Sequence, residues 1–242
     1  MGGTILNVLT VLIGGTAGLL IGSRLPQRIQ ESVMTGLGLV TLYVGVSNAG
    51  QTGNVIIPLL SIVSGAIVGE LIGIEAYLER FAGWLQRRFG GGAASGEARD
   101  RFVSGFITAS LVFCVGPLTF VGSIQDGMGL AIGFQQLAIK SVLDMFAALA
   151  FAASLGVGVL FSIVTIVVLQ GGLALLGSAL GAFMSAPMAA EMTAVGGLLL
   201  IGLALVLLDI KRPRVANFLP ALVIAPLLVA LAAALGINIY PL

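Results

Sequence analysis

Lys140 and Asp144 stand four residues apart in "QQLAIKSVLDMFAALAFAASLG", an apolar stretch long enough to cross a bilayer. At that spacing the two side chains share a helix face and can pair, and Gln136, one turn back, extends the same polar stripe. If the helix begins near Phe134, Asp144 lies about 15 Å deep, at the bilayer midplane. A lysine one turn shallower can snorkel to the surface, but an aspartate stem is too short. Ionised and unpaired in lipid, the carboxylate would cost about 2.5–3.5 kcal/mol, so this face must look into protein or a wet cavity. The chemistry open to such a pair is capture of a cation or a proton on Asp144, with Lys140 as the competing charge. A static pair that only fixes helix rotation is the rival reading.

Other candidates surround it. In "FCVGPLTFVGSIQDG", Pro117 has no N–H and frees the carbonyl of Phe113, while Gly116 eases a kink. Backbone oxygens near Cys114 can then face a ligand, as in broken transporter helices. Cys114 itself reads as a small apolar packer. Gln125 and Asp126 precede a glycine-rich turn and are candidates for an outer vestibule. Gln170 falls mid-span, where an amide must find hydrogen bonds. Glu70 and Glu191 lie toward span ends, where interfacial exposure also accounts for them. All eleven positions are candidates for substrate or ion binding or coupling, none for a catalytic role. No cofactor is expected, and metal binding is left open. The chain has no histidine, which argues against zinc enzymes and Ser-His hydrolases.

The elements that must position these residues follow from composition. Of 242 residues, 58% are hydrophobic and 9% charged, which marks an all-α integral membrane protein. Apolar stretches near 4–22, 33–50, 54–74, 102–122, 134–154, 157–180, 188–208 and 216–237 give about eight transmembrane helices. Ten of eleven basic residues fall in three connections: Arg24 and Arg28; Arg80, Arg87, Arg88, Arg99 and Arg101; and Lys211, Arg212 and Arg214. Short basic loops stay in the cytoplasm, so these three share a side, which eight spans with both termini outside satisfy. No nucleotide-binding motif or long basic block is present, so nucleic acid is not an expected partner.

The expected organisation is a single transmembrane domain. It comprises a first three-helix unit (1–74), a cytoplasmic segment (75–101), a central two-helix unit with the polar site (102–156) and a second three-helix unit (157–242). Within 75–101, "EAYLERFAGWLQRRF" places Leu78, Phe81, Leu85 and Phe89 at helical spacing, a helix lying on the inner leaflet, and "GGGAASGEARD" reads as a flexible linker. Gly14, Gly18 and Gly22 in span one, and Gly65, Gly69 and Gly73 in span three, form small-residue faces, so these two helices should pack tightly. Spans one to three echo in spans six to eight: Thr10 with Thr165, Gly36 with Gly196, Pro58 with Pro220, and "GI" at 73–74 with "GI" at 236–237. Units five spans apart face opposite ways, the arrangement of an inverted repeat.

"FITASLVFCVGPLTFVGSIQDG", "KSVLDMFAALAFAASLGVGVLF" and "EMTAVGGLLLIG" resemble the bacterial membrane family catalogued as domain of unknown function 554, and "GTILNVLTVLIGGTAGLLIGSRLP" fits it too. The resemblance covers nearly the whole chain and implies a multi-pass inner-membrane protein without an assigned activity. It also implies that Gly116, Pro117, Gln125, Asp126, Lys140, Asp144 and Glu191 belong to the family's polar signature. The leading functional expectation is a secondary transporter of a small ion or metabolite, proton-coupled through Asp144. The alternatives are a membrane-embedded enzyme using Asp126 and Asp144, or a non-catalytic accessory subunit. Partners are the lipid bilayer and a small ion or molecule, and the glycine faces are compatible with a homo-oligomer.

Overall fold

The computed structural model describes residues 1–22, 26–89, 96–114, 117–177, 179 and 184–240. Every regular element among the described residues is helical. These are α1 (Gly2–Gly22), α2 (Gln27–Ala49), α3 (Ile56–Ile72), α4 (Ile74–Phe89), α5 (Gly96–Cys114), α6 (Pro117–Gly127) and α7 (Ala131–Leu155). Then follow α8 (Gly158–Leu175), α9 (Ala186–Leu207), a 3₁₀ turn (Val215–Phe218) and α10 (Ala221–Ala234).

Among the described residues, five segments are each long and apolar enough to cross a membrane: α1, α7, α8, α9 and Val215–Ala234. Counting the bent pairs α3 with α4 and α5 with α6 as single spans gives seven, and α2 contributes the shorter apolar helix Met34–Ala49. Each of the eight expected stretches therefore holds a helix, but by length and composition together the described residues give five spans, or up to seven, and not eight.

Contacts divide the chain into two compact units: Met1–Leu37, Ala76–Cys114 and Leu118–Ala182 in one; Gly38–Glu75, Val115–Pro117 and Phe183–Leu242 in the other. In the first unit, α1 runs parallel to α7, with Gly3 against Leu137, Gly14 against Met145, Gly18 against Leu149 and Gly22 against Ala153. A Cβ on Gly14, Gly18 or Gly22 would overlap the carbonyl oxygen of Met145, Leu149 or Ala153. Only glycine allows this backbone-to-backbone approach, in which dispersion and CH···O contacts replace the absent hydrophobic drive. Helix α8 lies antiparallel on α1, with Gly15 against Leu160, and parallel to α5, with Gly158 under the Phe102 carbonyl.

In the second unit, α3 is antiparallel to the Val215–Ala234 segment, with Gly65 against Ala221 and Gly69 against the Asn217 carbonyl. Helix α2 is antiparallel to α9, with Gly38 against Leu208 and Gly45 against Gly197. The glycine faces of spans one and three thus do pack closely, but onto spans five and eight. The spacing within each helix marks the groove and says nothing of its occupant. Gly73 is not part of that face: it ends α3 at φ +74° with open space around it.

Helix α4 corrects a further expectation. Ala82 and Leu85 are buried against Phe102 and Phe106, with Leu78 packed beside them, so much of the stripe assigned to lipid faces protein. The exposed large side chains are Tyr77, Phe81 and Trp84. Helix α5 already begins at Gly96, where Glu97 complements the positive helix end, which shortens the expected linker. Arg24 and the rest of that linker, residues 90–95, lie outside the described residues, and so does the Phe89 side chain.

Candidate polar site in the first helical unit

Helix α7 carries Lys140 and Asp144 one turn apart near its middle, and both are buried, at 5% and 6% exposure. The Lys140 ammonium is paired with Asp144 Oδ2. That same oxygen accepts a hydrogen bond from Asn7 Nδ2 of α1 at 3.0 Å. The Asn7 amide also donates to Gln170 Oε1 of α8 at 3.0 Å, and Asn7 and Gln170 are wholly buried. One amide on α1 therefore ties an ion pair on α7 to a carboxamide on α8. Parallel packing of α1 on α7 sets Asn7 beside the turn that carries Lys140, within side-chain reach of Asp144 one turn on, and antiparallel packing of α8 on α1 brings Gln170 to Asn7.

Gln170 lies inside a π-helical turn, Val167–Gly171, within α8. Such turns insert one residue, rotate the side chains that follow and concentrate at functional sites. The network is incomplete: Asn7 Oδ1 and Gln170 Nε2 are buried without a hydrogen-bond partner among the described residues. So are Thr4 Oγ1, one turn above Asn7, Gln136 Oε1, one turn above Lys140, and Ser123 Oγ and Gln125 Oε1 of α6. Orphaned buried groups cost roughly 1–3 kcal/mol each and are ordinarily served by water or a ligand. Here they line the polar side of α1, α6, α7 and α8.

Asp126 is buried in α6 and accepts from the Gly3 N–H at 3.2 Å, with the Met1 amino group at 2.8 Å. It thus satisfies a donor in the first turn of α1, a neighbour of the site and not a member of the Asp144 network. The helix break between α5 and α6 turns the chain by 75°. There the Phe113 carbonyl, expected to face a ligand, is taken by Thr119 Oγ1 at 2.9 Å. A hydroxyl two residues beyond the proline restores the bond that Pro117 cannot make. Cys114 is buried at the end of α5 and free. Gly116 lies outside the described residues, as does the Pro117 side chain. One turn before the break, Ser110 and Thr165 share a hydroxyl hydrogen bond of 2.9 Å, joining α5 to α8.

The other two carboxylate candidates belong to the second unit. Glu191 is wholly buried and accepts from Thr52 Oγ1 at 2.7 Å and the Gly53 N–H at 2.9 Å. Asn54, next along, donates to the Ile239 carbonyl at 2.6 Å. Burial and the nearby Glu191 carboxylate push the Tyr240 phenol up to about 12. Glu70 pairs with Arg214 at 3.1 Å and is half exposed. Asn217 Oδ1 accepts from the Glu75 N–H at 2.8 Å, and Glu75 Oε2 accepts from the Ala216 N–H at 3.2 Å.

Of the sequence-derived candidates, Lys140, Asp144 and Gln170 come together, with Gln136 one turn away. The residue that joins them, Asn7, escaped sequence reasoning. Its signal was slight: one amide in "GGTILNVLTVLIGG", uncharged, with partners more than a hundred positions away.

Buried ionisable groups held among apolar helices of spanning length define a multi-helix membrane protein. The chain belongs to the family described as "Protein of unknown function (DUF554)", matched over residues 2–230. It is 32% identical over 224 residues to "Uncharacterized protein YqgA" of Escherichia coli (strain K12), covering 92% of this chain and 94% of that protein. It is 25% identical over 242 residues to "Uncharacterized membrane protein YdfK" of Bacillus subtilis (strain 168), covering 98% of this chain and all of that one. No solved structure matches the chain.

Proposed function

We propose that this protein is a secondary transporter of a small ion or metabolite, coupled to protons through Asp144. The observation that carries the reading is the Lys140–Asp144 pair, buried mid-helix and held by an amide whose oxygen has no partner among the described residues. With Asp144 ionised, Asn7 gives one N–H to the carboxylate and the other to Gln170. A proton on Asp144 turns that carboxyl from acceptor to donor and removes the charge that holds Lys140. Rotating the Asn7 amide then presents Oδ1 to the new O–H, and Lys140 is released toward an anionic group or water. Two hydrogen-bonded arrangements of the same residues, selected by one proton, are what coupling requires.

The architecture we infer has eight crossings in a bacterial inner membrane, both termini outside, built on an inverted repeat. The helix directions support it: α1 with α7 and α5 with α8 are parallel, and α1 with α8, α2 with α9 and α3 with α10 antiparallel. That is the parity of spans 1·5 and 4·6, then 1·6, 2·7 and 3·8. Exchanging one with six, two with seven, three with eight and four with five maps this set of pairs onto itself. Local chemistry agrees. Gly73 and Gly236 both take left-handed φ, +74° and +67°. Asn217 locks the start of span eight to the end of span three, and Asn54 locks the start of span three to the end of span eight.

The test is charge movement in proteoliposomes under a proton gradient, challenged with inorganic ions, organic anions and amino acids. Asp144→Asn should abolish a substrate-dependent current that the wild type supports. The charge-balanced double variant Lys140→Met/Asp144→Asn guards against loss through an unpaired lysine. Retained coupling in either folded variant would sink the proposal. The mutual satisfaction of Lys140 and Asp144 favours one other reading, a static accessory subunit, which predicts no substrate-dependent movement in any variant.

A further inference from the structure

Gly83 of α4 is buried, and what covers it is cationic. A Cβ built there would meet Arg99 Nη2 at 3.4 Å and Nε at 3.6 Å, and Arg87 Nη1 at 3.8 Å. Arg87 comes from α4 and Arg99 from the first turn of α5, so two helices deliver two guanidinium groups over one side-chain-free floor. Like charges so gathered repel unless an anion lies between them.

No carboxylate fills that role among the described residues. Glu79, Glu97 and Asp100, the carboxylates nearest in sequence, form no ion pair with Arg87 or Arg99. Other arginines of the basic connections are committed: Arg214 to Glu70, Arg212 to Asp209, and Arg101 to the Ser154 carbonyl at the end of α7.

The flank of the basic pair is aromatic. At 100° per residue, Arg80 and Arg87 lie on one edge of α4, and the exposed Tyr77, Trp84 and Phe81 adjoin that edge. Phe81 stacks on Trp84 with ring centroids 5.9 Å apart, and the Arg80 guanidinium sits 4.2 Å over the Tyr77 ring. A phosphate accepts bidentate guanidinium hydrogen bonds, and aromatic rings settle at headgroup depth beside acyl chains. A ligand matching both features carries a phosphate next to an apolar body.

We propose that Arg87 and Arg99, over Gly83, hold the phosphate of an anionic phospholipid whose acyl region lies along Tyr77, Phe81 and Trp84. The site is independent of the Asp144 network and would stand if the transport reading failed.

The test uses the full chain, purified in detergent, delipidated and titrated with phosphatidylglycerol or phosphatidylcholine of matched chains, with retained lipid counted by native mass spectrometry. Wild type should prefer phosphatidylglycerol. Arg87→Gln/Arg99→Gln should weaken that lipid about thirtyfold, for two basic residues near an anionic surface, and leave phosphatidylcholine unchanged. Gly83→Leu keeps every charge but fills the floor, so it should weaken phosphatidylglycerol as well, whereas Arg212→Gln should stay within twofold of wild type. Equal retention of the two lipids would overturn the proposal. So would an unchanged affinity in both Gly83→Leu and the double variant, or displacement of phosphatidylglycerol by equimolar inorganic phosphate.

Discussion

Gly14→Ala perturbs the polar site without touching a polar residue. A methyl at position 14 would overlap the carbonyl oxygen of Met145, the residue next to Asp144. Ordinary van der Waals contact begins at 3.4 Å, so α1 and α7 must part by about 1 Å at this level. A gap of that size forfeits a quarter to a half of the dispersion between the facing surfaces, and overpacking of this kind costs about 1–3 kcal/mol. It also stretches the 3.0 Å bond from Asn7 to Asp144 toward 4 Å, beyond hydrogen-bonding range. Asn7→Ala removes the same bond directly, at about 1–2 kcal/mol for a bond between membrane helices with one charged partner. The assay is a double-mutant cycle on equilibrium unfolding in bicelles, with wild type, both single variants and the double variant. Because each change breaks one shared bond, the double variant should cost less than the sum by 0.5 kcal/mol or more. Strict additivity, or a Gly14→Ala variant as stable as wild type, would refute the claim that glycine packing sets the geometry at Asp144.

Two further outcomes follow from backbone and charge. Gly73→Ala and Gly236→Ala place a side chain at left-handed φ with open space around it, so each should lose about 1–2 kcal/mol from strain alone. Thermal unfolding of the two should agree closely if they are counterparts, and a neutral Gly73→Ala would remove that argument for the repeat. The 295 nm absorbance difference between wild type and Tyr240→Phe should titrate near 12, above the ordinary 10, and Glu191→Gln should bring it part of the way down, since burial is the larger cause. Because the unfolded phenol ionises first, stability should decline as pH rises from 10 to 12. A difference spectrum centred at 10 would contradict the placement of Tyr240 beside Glu191.

Charge and helical spacing made half of the site legible. Lys140 and Asp144 are conspicuous because ionised groups rarely enter lipid, and their i,i+4 spacing alone implies the pair that the structure contains. The break near Pro117 is equally local, since a missing N–H has its effect within one turn. Pairings across the chain were not legible. Gly14, Gly18 and Gly22 announce a groove but cannot name Met145, Leu149 and Ala153 as its filling, because any backbone fits a flat glycine face. Asn7 carries no charge and costs little in a helix, so its role appears only when α7 and α8 are packed around it. Leu78 and Leu85 show the same limit: an amphipathic period fixes which face is apolar, not whether lipid or Phe102 and Phe106 cover it.

The pairing of Lys140 with Asp144 inside a single helix also bears on how the chain is made. Ribosomes deliver α1 long before α7, so Asn7 enters the bilayer as one amide in an apolar helix and waits more than a hundred residues for its partners. When α7 emerges, its lysine and aspartate already neutralise each other one turn apart, and the helix can leave the translocon as a net-uncharged segment. Assembly can therefore proceed by lateral docking of inserted helices. The amide on the earlier helix then captures a carboxylate that arrives already shielded.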